Sequence, residues 1–292
     1  MHPAPSIIIF TTLSGLGFGM LAFLGFGFMV PSSTFGNFIF YAIAFALACG
    51  GLVSSTFHLG HPERAIKAFS QWRSSWLSRE GVLAVAALAV MGLFAALIIF
   101  FGTRVAFLGY IGAILSLLTV IATSMIYAQM KTVPRWRHWS TPVLFMVYAL
   151  LGGALMTGKV SELHFMIPAA IALQLAAWIH LDFLDKTPAS TQGTATGLGE
   201  LGQVRAFEHP HTGDNYLTKE MVFRIGRKHA QNLRIIALLL GLILPLVLLL
   251  LPFNHLFGLL AVLSHLTGVI VQRWLFFAEA KHVVGLYYDQ GT

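Results

Sequence analysis

"REGVLAVAALAVMGLFAALIIFF", Arg79 to Phe101, carries its two charges at the start and none afterwards. As a helix rising about 1.5 Å per residue, the uncharged part from Gly81 covers roughly 30 Å, the thickness of a bilayer's hydrocarbon core. Similar runs recur throughout the 292 residues, which are 57% hydrophobic and only 10% charged. Soluble domains are about one-quarter charged, so this composition excludes an ordinary soluble enzyme. Mean hydropathy is +0.78. Eight apolar runs stand at 6–30, 35–58, 80–101, 105–129, 141–158, 163–183, 232–251 and 255–278. The expected fold is all-α: a polytopic integral membrane protein with eight transmembrane helices in a helical bundle. Residues 1–292 read as a single membrane domain, and the 28 glycines suit close helix packing in lipid.

No Lys or Arg precedes the first run, which lacks the basic region of a signal peptide and reads as a retained span. No twin-arginine signal is present. The single cysteine, Cys49, excludes an internal disulfide and a cysteine-ligated iron–sulfur cluster.

Cations set the orientation. The loops after the second, fourth and sixth runs hold Arg64, Lys67, Arg73 and Arg79, then Lys131, Arg135 and Arg137, then Lys186, Arg205, Lys219, Arg224, Arg227 and Lys228. The opposite loops hold Arg104 and Lys159. The positive-inside rule places both termini and the three long loops in the cytoplasm. The loop 184–231 is the one sizeable soluble segment. Its first half, "TPASTQGTATGLGELG", reads as irregular, and "YLTKEMVFRIGRKHAQNLR" reads as an interfacial helix that anchors the next span or docks another subunit.

The stretch "FHLGHPERAIKAFSQWRSSWLSREG", Phe57 to Gly81, concentrates polarity between two apolar runs. His58 ends one run and Glu80 opens the next, both at the cytoplasmic face. Ionisable residues beside a span are functional candidates by default. Imidazole titrates near neutrality, and a His–carboxylate pair at a membrane face suits proton exchange. A quinone requires such surroundings: donors for its carbonyls, protons on reduction, and lipid access for its tail. The competing reading is a packed histidine and a glutamate at a helix N-terminus, with Ser78 as its cap.

Arg273, inside the last run, either donates to a quinone oxygen or snorkels to the interface. His58, His164, His180 and His265 are the candidate axial ligands for an intramembrane haem, but no haem is expected. In "TVPRWRHWSTP", Thr132 to Pro142, the residues Arg135, Trp136, Arg137 and Trp139 form either an interface belt or, with Arg73, a partner-docking patch. No set of metal ligands is expected on this chain.

These segments carry a resemblance. "HLGHPERAIKAF" at the second run, "REG" opening the third, "TVPRW" with "WSTP" after the fourth, and "QRWLFF" in the last are similar to the membrane anchor subunit of dimethyl sulfoxide reductase-type molybdoenzymes. "MHPA", "HPHTGDNYLTKEMVFRIGRKHA" and "RWLFFAEAKHVVGLYY" resemble the anchors of cytoplasmic sulfite-oxidising complexes. The resemblance implies a molybdopterin catalytic subunit, an iron–sulfur electron-transfer subunit, and a haem-free, quinone-linked anchor in the bacterial inner membrane. It matches His58 and Glu80 to positions tied to quinone chemistry. Arg64 and Arg273 match family positions; Arg64 either stabilises negative charge or grips the iron–sulfur subunit.

The expected function is a quinone-binding anchor that passes electrons from cytoplasmic sulfite oxidation to ubiquinone or menaquinone, with no substrate-site catalysis on this chain. Two alternatives differ from it. One is the anchor of a sulfoxide or other oxyanion reductase oxidising quinol. The other, from a different class, is a small-solute permease, which would show paired Gly/Pro breaks and an inverted repeat.

Overall fold

The computed structural model describes residues 2–57, 61–158, 160–188, 190–205, 207–208, 213, 215–221, 229–252 and 254–288. A helix lies over each apolar run. These are α1 (Pro5–Phe26), α2 (Thr34–Thr56), α3 (Trp76–Phe101), α4 (Ala106–Ala128), α5 (Ser140–Met156), α6 (Val160–Lys186), and, after a short helix α7 (Gln192–Thr196), α8 (Ala230–Leu238), α9 (Leu244–Leu250) and α10 (His255–Ala278). A π turn over Leu239–Ile243 joins α8 to α9 as one span, Ala230–Leu250. No strand occurs among the described residues. Among the described residues, seven helical segments are long and apolar enough to cross a membrane; α5, with 17 residues, is shorter. The protein is thus a helical, multi-pass membrane protein.

Local chemistry sets the helix ends. Pro5 opens α1, where its missing N–H costs nothing. Gly27, at φ 78°, closes the helix, and its N–H bonds the Leu24 carbonyl. The first helix therefore stops short of residue 30. Ser33 caps α2 by accepting from the Gly36 N–H at 3.0 Å. The third helix begins at Trp76, ahead of the expected position; Ser75 before it is extended and makes no side-chain cap bond. Ser78 is not a cap; its hydroxyl donates to the carbonyl of Ala68. Glu80 consequently lies one turn inside α3.

The loops also differ from expectation. Residues 62–69 form a 3₁₀ helix whose Phe69 ring packs over Gly81. The stretch read as irregular contains α7, closed by a reciprocal capping box between Thr191 and Thr194. Of the expected interfacial helix, Leu217–Met221 forms a π turn, and 222–228 lie outside the described residues.

The first helix is the centre of the bundle, packed against α2, α4, α5 and α10. Glycines permit its close approach to α5: a Cβ on Gly153 would stand 2.5 Å from the Gly19 carbonyl carbon. The α8–α9 span pairs with α10 as a hairpin, clasped near mid-span by Ser264 Oγ donating to Leu240 O and His265 Nδ1 to Gly241 O, each at 2.7 Å.

Candidate functional site

Alternating helix direction gathers the chemistry at one end of the bundle. Glu80 is near the start of α3, Thr123 near the end of α4, Ser140 at the start of α5, Asp182 near the end of α6, Arg234 in α8, and Arg273 near the end of α10. Contacts among these residues confirm the shared depth.

Glu80 is 4% exposed, and its Oε1 meets the hydroxyl of Thr123. Thr123 also reaches the Thr119 carbonyl at 3.0 Å and lines a small cavity with Thr11, Ser14, Phe145 and Arg273. Tyr127 lies within electrostatic reach of both the Glu80 carboxyl and the Arg273 guanidinium. Its ring packs on Trp136, Phe145, Phe276 and Phe277, which fixes its position.

Arg273 does not snorkel. It is 2% exposed, its Cζ stands 3.7 Å from the Phe145 ring centroid, and Nη1 donates to Gln272 Oε1 at 3.1 Å. Its Nε is buried without a hydrogen-bond partner, and no carboxylate pairs with it among the described residues. A desolvated cation–π contact returns about 2 kcal/mol. Desolvating the ion costs several kcal/mol, so packing alone does not justify a cation here. A buried ionisable group left uncompensated in a span is a functional-site candidate.

Arg273 and Phe145 also line a second cavity, of about 30 Å³, bounded by Arg135, Ser140, Thr141, Gln174, Gln272 and Glu279. Beyond it lies a charge network. Arg135 pairs with Asp185 at 2.9 Å, Glu279 at 3.0 Å and Asp182 at 3.4 Å. Arg234 grips Asp182 through two nitrogens at 2.6 and 2.7 Å and reaches Glu279 at 2.7 Å. These pairs tie the α4–α5 loop to α6, α8 and the end of α10.

The expected docking patch divides. Arg135 and Trp136 are 7% and 4% exposed, so they turn inward instead of facing a partner. Arg135 is drawn in by three carboxylates, and Trp136 Nε1 donates to the Phe276 carbonyl at 2.9 Å. Arg137, Trp139 and Arg73 remain exposed. Arg64 is exposed on the 3₁₀ helix. His58 lies outside the described residues, so its relation to Glu80 is not given by the structure.

His180, a candidate haem ligand by sequence, lies against His138: Nδ1 of His180 is 3.0 Å from Nε2 of His138. His138 Nδ1 in turn meets the Ser140 hydroxyl at 2.7 Å and the Ser140 N–H at 3.3 Å. Burial, reinforced by His180 and the Arg135 charge, holds His138 below the ordinary imidazole range. Thr123, Tyr127 and the His138–His180 pair do not stand out in the sequence. Their signal is a contact between helices, not a local motif.

Comparison with known proteins agrees with this architecture. A sulfite dehydrogenase subunit of Allochromatium vinosum is 31% identical, over 99% of each chain. No solved structure matches the chain. The family profile described as DMSO reductase anchor subunit (DmsC) matches residues 1–278. The chain is therefore a member of the DMSO reductase anchor subunit family.

Proposed function

We propose that the chain is the quinone-binding anchor of a molybdopterin and iron–sulfur oxidoreductase, passing electrons from cytoplasmic sulfite oxidation to the quinone pool of the bacterial inner membrane. Family membership and similarity to a sulfite dehydrogenase subunit support the class. The cation bias supports a cytoplasmic polar end with cytoplasmic termini. The 17-residue α5 completes eight spans: at about 1.5 Å per residue it covers roughly 26 Å, and α1, α4, α6 and α10 surround it. Partners then dock on the cytoplasmic side, where Arg73, Arg137 and Trp139 are exposed.

The observation that carries the quinone assignment is the buried Glu80–Thr123 pair, with Thr123 and the uncompensated Arg273 lining one cavity. The Glu80 carboxyl, in contact with the Thr123 hydroxyl, suits a quinone carbonyl, and the buried guanidinium of Arg273 supplies positive charge nearby. The two cavities at Arg273, about 10 and 30 Å³, admit water and not a ring. The head group is therefore assigned to the Glu80 end of α3, next to the 3₁₀ helix that carries Arg64.

A bound quinone supplies two-electron, two-proton chemistry. Glu80 holds and relays a proton at its carboxyl, and Thr123 orients that carboxyl. Arg273 contributes a fixed positive potential from the dry interior, where screening is weak. The Phe69 ring of the 3₁₀ helix packs over Gly81, next to Glu80. The test is Glu80→Gln in the assembled complex, with sulfite-driven quinone reduction as the readout and sulfite oxidation by a soluble dye as the control. Loss of a relay group predicts a fall of about a hundredfold or more in quinone reduction with the dye reaction intact. Equal quinone rates would remove Glu80 from the assignment.

A further inference from the structure

We infer that the 3₁₀ helix Pro62–Phe69 binds the headgroup of an anionic phospholipid at the edge of the bilayer. The inference uses the multi-pass fold and does not depend on the quinone reading.

Side chains three apart eclipse on a 3₁₀ helix, so this one presents three rows. Ala65 and Ala68 form a half-buried row of small side chains. Ile66 and Phe69 form an apolar row, 81% and 42% exposed. Arg64 and Lys67 form a cationic row, and both are exposed. Neither cation has an ion-pair partner among the described residues.

Contacts with α3 fix the depth of these rows. The Phe69 ring packs over Gly81, and the Ser78 hydroxyl donates to the Ala68 carbonyl. Arg79 ties down the turn between the two helices: its Nε donates to the Trp72 carbonyl at 3.0 Å and its Nη2 to the Arg73 carbonyl at 2.7 Å. Gly81 begins the uncharged run of α3, so the apolar row starts at the edge of the hydrocarbon core. An apolar row at that edge with a cationic row beside it is the pattern of an interfacial element. Trp72 and Trp76, which follow in the chain, are the residue type enriched at headgroup level.

The charges select the lipid. Between Pro62 and Arg79 the sequence holds four cations and one carboxylate, Glu63. A phosphodiester complements that excess: its oxygens accept from Arg64 and Lys67 while its acyl chains lie along Ile66 and Phe69. A free anion would use the cationic row alone and leave the exposed apolar row without a role.

The test is binding of fluorescent phosphatidylglycerol to the full-length protein in neutral detergent, with phosphatidylcholine of the same chains as reference. Arg64→Gln with Lys67→Gln removes the cationic row. Lys131→Gln with Arg137→Gln removes two cations from the α4–α5 loop as a charge-matched control. All four side chains are exposed, so neither pair opens a cavity. Losing two cations at a membrane surface predicts phosphatidylglycerol binding roughly tenfold to thirtyfold weaker for the first pair, with the control pair within about threefold of wild type. Ile66→Ser also weakens binding, and raised salt weakens it in the wild type. Equal affinity for the two lipids, or equal losses in the two pairs, overturns the inference. Displacement by excess inorganic phosphate, with Ile66→Ser at wild-type affinity, identifies a free-anion site and overturns it as well. If the first pair releases a partner subunit from the assembled complex while phosphatidylglycerol binding by the full-length chain is unchanged, the row is a protein-docking face and the inference fails.

Discussion

Replacing Glu279 by Gln probes the charge network with the least change of shape. The carboxylate meets Arg135 Nη2 at 3.0 Å and Arg234 Nε at 2.7 Å, and the Arg135 and Glu279 side chains are only 7% and 10% exposed. Breaking a buried pair costs about 3–5 kcal/mol, because the remaining charge is left desolvated. Here Asp182 and Asp185 still face Arg135, and the glutamine oxygen keeps one contact, so the expected loss is about 2–3 kcal/mol. Lys281→Ala is the internal contrast: its link to Asp185 is 3.8 Å long, between side chains 53% and 27% exposed. Such a pair contributes at most about 1 kcal/mol. The assay is SDS titration of the purified protein in mixed micelles, followed by tryptophan fluorescence, since Trp136 and Trp178 border the network. At 1.4 kcal/mol per factor of ten, Glu279→Gln shifts the unfolding constant roughly 30- to 150-fold. A shift no larger than that of Lys281→Ala would refute the claim that these charges act as a buried unit.

Two further outcomes are expected. Gly19→Ala places a methyl against the Ala149 carbonyl at the α1–α5 crossing and costs about 1–3 kcal/mol in the same titration, whereas Gly50→Ala, with open space around it, stays within about 0.5 kcal/mol. Because His138 titrates below its unfolded value, the unfolded chain binds more protons in that window, so its contribution to stability is present above about pH 6.5 and lost as pH falls below it; His138→Gln flattens that limb of the stability–pH curve.

The helices were legible because bilayer thickness forces long uncharged runs, and those runs need no tertiary information to be seen. Helix ends were less so: α3 starts at Trp76 inside a stretch rich in cations and tryptophan, which gives no hydrophobic edge to mark it. Glu80 and Arg273 stood out as charges inside apolar sequence. The inward turn of Arg135 did not, because its partners lie 47, 50 and 144 positions away and nothing local distinguishes a loop arginine bound for the interior. The same holds for the pairing of His138 with His180, 42 positions apart: His180 stood out only as an intramembrane histidine, and its partner follows from the α4–α5 loop folding onto α6.

The π turn at Leu239–Ile243 sets a phase. One extra residue in a helical ladder advances everything on one side of it by about 100° relative to the other. Inside the turn, the Leu240 and Gly241 carbonyls meet Ser264 and His265; one or two turns back, Arg234 meets Asp182 and Glu279. The turn therefore sets the angle at which the two sets of contacts are presented. The span thus works as a rotary key cut for two locks at different depths. Shortening it by one residue would leave its length across the bilayer almost unchanged while turning Arg234 toward lipid.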